Sequence, residues 1–131
     1  MIKNIPYLIS AIIIGVILFQ SFLIAPSINK LINVKEASIF LRYIWPKFFL
    51  IIGFLSLIAF IFNFNNGGVK YFLITSSLLM FTCYFVTPII NEAKDLNNEK
   101  LWHVLHLLTV FLTLISLILN FLFIYFFKPI D

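Results

Sequence analysis

The chain has 131 residues, of which 63% are hydrophobic and 11% charged, with a formal net charge of +4. A disordered chain needs a polar composition, so disorder is excluded, and a soluble domain of this size needs a charged surface, which makes that class implausible. The net charge is small, and nothing in its distribution points to nucleic acid.

Four apolar stretches, 8–24, 45–62, 69–90 and 101–127, contain no Asp, Glu, Lys or Arg except Lys47 and Lys70, each close to an edge. A helix needs about 20 apolar residues to cross the hydrocarbon core, and every stretch is near or above that length. Backbone polar groups in lipid must be paired within the structure, so spans are helices or a closed barrel. The stretches are continuously apolar and lack the alternation of barrel strands, which selects helices. The predicted fold is therefore all-α. It is an integral membrane four-helix bundle, one transmembrane domain over 1–131 with spans near 7–26, 45–63, 69–90 and 101–127, and the lipid bilayer is its first partner.

In the first span, Lys3 precedes the apolar run, but Pro26 follows Ala25 where a leader would be cleaved, so the span is expected to be retained. Ala11 and Gly15 form a small pair four apart, and Gln20 is its strongest polar group. In the link that follows, Asn33 with Glu36 has capping-box spacing, so a short interfacial helix is expected from near Val34. Tyr43 and Trp45 suit headgroup level, and Pro46 is expected to kink the chain into span two. Gly53, Ser56 and Asn63 share one register there, with Gly53 permitting close approach of another helix.

The segment 63–68 is rich in Asn and Gly and predicts a tight turn between spans two and three. Ser76, Cys83 and Thr87 share a side of span three. Cys83 is the sole cysteine, so no intrachain disulfide can form. Asp95, Asn97 and Asn98 are candidate N-caps for span four.

Basic residues set the expected orientation. Lys30, Lys35, Arg42, Lys47, Lys94 and Lys100 lie at one face, and Lys3, Lys70 and Lys128 at the other. The positive-inside rule then puts links 27–44 and 91–100 in the cytoplasm and both termini outside. A weak repeat also emerges. With a shift of 62 positions, 19–31 falls on 81–93, matching Phe19 to Phe81, Pro26 to Pro88, Ile28 to Ile90 and Asn29 to Asn91. This is the pattern of a 2+2 parallel helix-hairpin duplication, or of two apolar segments that each end in Pro.

Span four carries the clearest constellation. His106, Thr109, Thr113, Ser116 and Asn120 are spaced 3, 4, 3 and 4, on one stripe of a helix. In lipid such side chains turn toward other helices, as helix–helix glue or around a site. An ionisable group within a span is a functional candidate, and His106 is that group, with His103 one turn nearer the headgroups. Haem could sit on His106, although no other span supplies a histidine. Copper could sit between His106 and Cys83. Otherwise the imidazole is a neutral hydrogen-bonding group of the bundle. No nucleophile–base pair, phosphate loop or paired carboxylates appear, so no catalytic residue is expected.

The same residues carry a resemblance. Phe19 to Pro26 forms a Phe-x-x-Phe-x-x-x-Pro ending. The first link holds Ala37 and then Trp45-Pro46-Lys47-Phe48-Phe49, span three ends Thr87-Pro88, and span four holds His106-x-x-Thr109-x-x-x-Thr113. Together these resemble the transmembrane protein 205-like family of small four-helix membrane proteins, with Thr109 where the family has Ser and Thr113 where it has Asn. That resemblance implies no established reaction. The family is distantly similar to the copper-resistance protein D group, which implies histidine-linked haem or copper by analogy of fold alone. The expected function is thus a non-enzymatic accessory protein of a bacterial inner (plasma) membrane, as a homodimer or part of a larger membrane complex. The alternatives are a haem- or copper-binding redox protein using His106 and a subunit of a small oligomeric transporter.

Overall fold

The computed structural model describes residues 4–127, and Lys3 and Lys128 of the charge comparison lie outside them. All regular structure among the described residues is helical: α1 (Ile5–Phe19), a π segment (Gln20–Ile24), α2 (Ala25–Leu31), α3 (Val34–Phe62), α4 (Lys70–Asp95) and α5 (Glu99–Phe126). Four helical runs, Ile5–Leu31, Val34–Phe62, Lys70–Asp95 and Glu99–Phe126, are long and apolar enough to cross a membrane. The fold is the expected four-helix bundle.

The helices form a ring in chain order. α4 packs most extensively against α3 and α5, and α1 closes the ring with smaller contacts to both. The turn 63–69 lies at one end, hereafter the turn end. The breaks at 32–33 and 96–98 lie at the other, the link end. The segments matched in the repeat thus sit on opposite sides of the ring, but their prolines act differently. Pro88 is carried inside α4 without interruption, whereas Pro26 follows a widened turn in which the Ala25 N–H bonds to the Gln20 carbonyl. Pro26 has no N–H, and its ring crowds the carbonyl four residues back. The five-residue turn relieves that crowding, so the helix passes the proline instead of ending there.

The first link corrects one expectation. Asn33 caps α3 as its spacing predicts, its Oδ1 accepting from the Glu36 N–H at 3.0 Å. But α3 then runs unbroken from Val34 to Phe62 with Pro46 inside it. No separate interfacial helix exists. Pro46 has no N–H to give the Arg42 carbonyl four residues back. One residue on, the Tyr43 carbonyl accepts from Lys47 Nζ at 3.1 Å, and the same ammonium lies 3.1 Å from the Tyr43 ring centroid, so Tyr43 holds the charge through carbonyl and ring together. Asn33→Ala should lower stability by about 1 kcal/mol, read from the thermal unfolding midpoint in detergent.

Asn98, rather than Asp95, caps α5, with Oδ1 accepting from the Leu101 N–H at 3.1 Å. Asp95 ends α4. At the turn end, Gly67 has φ +43, a conformation that side chains disfavour. Ala11 and Gly15 of α1 are exposed, and no atom lies within 4 Å of a Cβ built on Gly15, so this small pair makes no contact inside the bundle. Gly53 does: a Cβ there would meet the Phe81 ring of α4 at 3.2 Å.

Candidate functional site

The stripe on α5 turns inward. Thr109, Thr113, Ser116 and Asn120 are all buried, but its two halves bond differently. Toward the link end, Thr109 Oγ1 donates to the His106 carbonyl and Thr113 Oγ1 to the Thr109 carbonyl, each at 2.8 Å. Thr87 of α4 does the same to the Cys83 carbonyl at 2.8 Å. These hydroxyls are consumed within their own helices.

Toward the turn end, the hydroxyls join helices. Ser76 of α4 is the hub: its Oγ lies 3.2 Å from Ser56 Oγ of α3, 2.6 Å from Ser116 Oγ, and accepts from Asn120 Nδ2 at 3.0 Å. Asn120 Nδ2 also donates to the Ser116 carbonyl at 2.9 Å. One layer thus ties α3, α4 and α5. Beside it, Ser77 Oγ donates to the Gly53 carbonyl at 2.8 Å, which the missing side chain of Gly53 leaves accessible. Gln20, buried in the π segment, leaves its Nε2 without a protein partner among the described residues, as Asn120 does with Oδ1.

Between the threonine half of α5 and the far part of the first span lies a cavity of about 540 Å³. It exists because the first span leaves α5 beyond the π segment. α1 packs on α5, whereas α2 keeps notable contact only with α3. The side walls are apolar and include exposed residues from both edges, Phe22 on one and Val110 and Leu114 on the other. The cavity is therefore open sideways, toward the bilayer. Its link end is polar, with Asn29, Arg42, Asn91, Lys94, Trp102 and His106.

The histidines divide here. His106 lines the cavity and stacks on Trp102, the rings 5.4 Å apart and 3° from parallel. His103 is exposed and does not line it. Cys83 is buried, its Sγ 3.9 Å from the Thr109 carbonyl, and does not line the cavity either. His106 thus faces the cavity, whereas Cys83 lies outside its lining. Among the described residues, no three His, Cys, Asp or Glu side chains gather as metal ligands.

Two ion pairs border the polar end. Arg42 of α3 holds Asp95 of α4 through Nη1 at 3.1 Å and Nη2 at 2.6 Å. Lys94 Nζ lies 3.1 Å from Glu99 Oε1 and 4.4 Å from the Trp102 ring centroid. In both pairs the base lines the cavity and the acid does not.

A family model described as Domain of unknown function (DUF4149) matches residues 8–99. The chain belongs to this family. No curated protein and no solved structure matches it. In this DUF4149 member the matched segment covers the α1–α4 walls of the cavity, while Trp102, His106 and the α5 stripe lie beyond it. Asn29, Arg42, Asn91, Lys94 and Trp102 were not singled out as site residues from the sequence. One signal was present, since the repeat aligns Asn29 with Asn91, and both line the cavity.

Proposed function

We propose that this membrane protein is non-catalytic and binds a single-chain amphiphile. The apolar body lies between the first span and α5, and the polar head sits beside Asn29, Asn91 and His106. The observation that carries this reading is the cavity itself. Its volume is within the range of small-molecule sites, its wall is apolar where it opens to lipid, and its hydrogen-bonding groups converge at one end. A bilayer-facing opening suits a ligand already dissolved in the membrane.

Trp45 and Trp102, the two tryptophans of the chain, both line the cavity. Their fluorescence should be quenched saturably by a single-chain lysophospholipid carrying a nitroxide on its acyl chain. Val110→Trp, which fills the side opening from an exposed position, should weaken that binding by about tenfold or more while leaving the melting curve in place. Its added indole is allowed for by referring quenching to saturation. Non-saturable quenching, equal in both proteins, would remove the reading.

A second reading rests on His106 lining this cavity: haem, held through the imidazole. Haemin added to the purified protein would then give a Soret band that His106→Ala loses. Copper between His106 and Cys83 has less support, because only His106 faces the cavity.

We read the link end as cytoplasmic, on the excess of basic residues there. With Cys83 changed to Ser, a cysteine placed at Lys94 should react with an impermeant maleimide only after the cells are opened. Labelling of intact cells would reverse the orientation. The finer likeness to the transmembrane protein 205-like family, supported by the motifs at 45–49 and 106–113, and a bacterial plasma membrane as the location belong to this reading too.

A further inference from the structure

We propose that the amphiphile is anionic, with a phosphate-bearing head held by Arg42 and Lys94. This rests on the cavity being the ligand site and adds the chemical class of the ligand.

The argument is one of charge placement. The cavity lining contains one Arg and one Lys, Arg42 and Lys94, together with His106, and no Asp or Glu. The partners of Arg42 and Lys94 stand outside it in open surroundings, the side chains of Asp95 and Glu99 being 60% and 65% exposed. Water weakens the hold of those acids on the bases, whereas a ligand in the cavity meets the bases from the drier side. Neither base is used up. A guanidinium carries five N–H donors, and Asp95 takes one through each of Nη1 and Nη2. The ammonium of Lys94 has three donors, directed in part at Glu99. The amides of Asn29 and Asn91 and the indole N–H of Trp102 add donors to the same end.

The remaining charges near this end do not cancel the preference. Lys30, Lys35 and Lys100 are exposed there beside Glu36 and Glu92, so the surrounding surface is not acidic. A phosphodiester offers several acceptor oxygens at once to a guanidinium fork and an ammonium; a choline attached to it sets a second cation against the same two bases, whereas an uncharged glycerol does not. Basic pockets between spans at the cytoplasmic face are where anionic headgroups are recognised.

The test compares lysophosphatidylglycerol with lysophosphatidylcholine of the same acyl chain, displacing the nitroxide-labelled probe from the purified protein. The anionic lipid should bind about tenfold more tightly, and the preference should shrink as salt rises. Arg42→Gln with Lys94→Gln should erase the preference. Exposed ion pairs contribute little to stability, so a melting curve should show this variant folded. Asp95→Asn with Glu99→Gln should act the other way, tightening the anionic lipid severalfold without changing the zwitterionic one. A merely structural role for the two pairs would not give changes of opposite sign. Equal binding of both lipids to the native protein would overturn the charge inference and leave the cavity reading standing. Binding of neither would overturn both.

Discussion

Gly53→Leu should unfold the α3–α4 pair in detergent well below the midpoint of the native protein. Even a single Cβ at this position would lie 3.2 Å from the Phe81 ring, which is itself set edge-on against Phe54 with ring centroids 5.2 Å apart. A leucine adds three further carbons to a contact that is already closed. Overpacking of this kind costs about 1–3 kcal/mol and more where the backbone cannot retreat. Here retreat would also draw the Gly53 carbonyl away from Ser77 Oγ, a bond of 2.8 Å between two buried residues. Gly53→Ala is the control. The gain of about 1 kcal/mol in helix propensity opposes a contact that needs Phe81 to shift by a few tenths of an ångström, so its net effect should be near zero. The helical signal during titration with a denaturing detergent reads both. Equal midpoints for the leucine variant and the native protein would mean that α3 and α4 do not approach at Gly53.

Ser76→Ala should destabilise the bundle by about 2 kcal/mol, although alanine differs from serine only by the hydroxyl. The substitution removes a hydroxyl that meets Ser56, Ser116 and Asn120 at once. Interhelical hydrogen bonds in membranes are individually modest, averaging about 0.6 kcal/mol, but three partners lose theirs together. Asn120 suffers most, because its Oδ1 already lacks a protein partner among the described residues and its Nδ2 would keep only the Ser116 carbonyl. Adding Asn120→Leu to Ser76→Ala should therefore cost less than the sum of the separate changes. Strict additivity in that double-mutant cycle would separate the two side chains and remove the hub.

The bundle was legible because lipid imposes few solutions. Long apolar stretches must be helices there, and the rare polar groups must turn inward, so the stripe from Thr109 to Asn120 could be recognised by spacing alone. Helix caps were legible where one side chain decides them, as at Asn33. Asp95 was less so, because a carboxylate near a helix start is equally apt as an ion-pair partner, and Arg42 is far away in sequence. The link ahead of span two was less legible too. The cap at Asn33 marks where a helix starts but not where it ends, and α3 runs on through Pro46 to Phe62.

The amino-acid order by itself determined the solvent, the number of spans and the inward turn of the polar stripe on α5, since all three follow from hydropathy read along one dimension. Only the three-dimensional arrangement decided that the inward stripe has two parts, hydroxyls closed on their own helix around His106 and hydroxyls shared between helices around Ser76. It alone decided that His106 lines a cavity and Cys83 does not, and that this cavity opens where the first span leaves α5. The physical reason is that burial is a property of each residue, whereas hydrogen-bond partners and empty space depend on how far one helix stands from another. In this chain that separation is set by a proline and a widened turn at the far end of the first span.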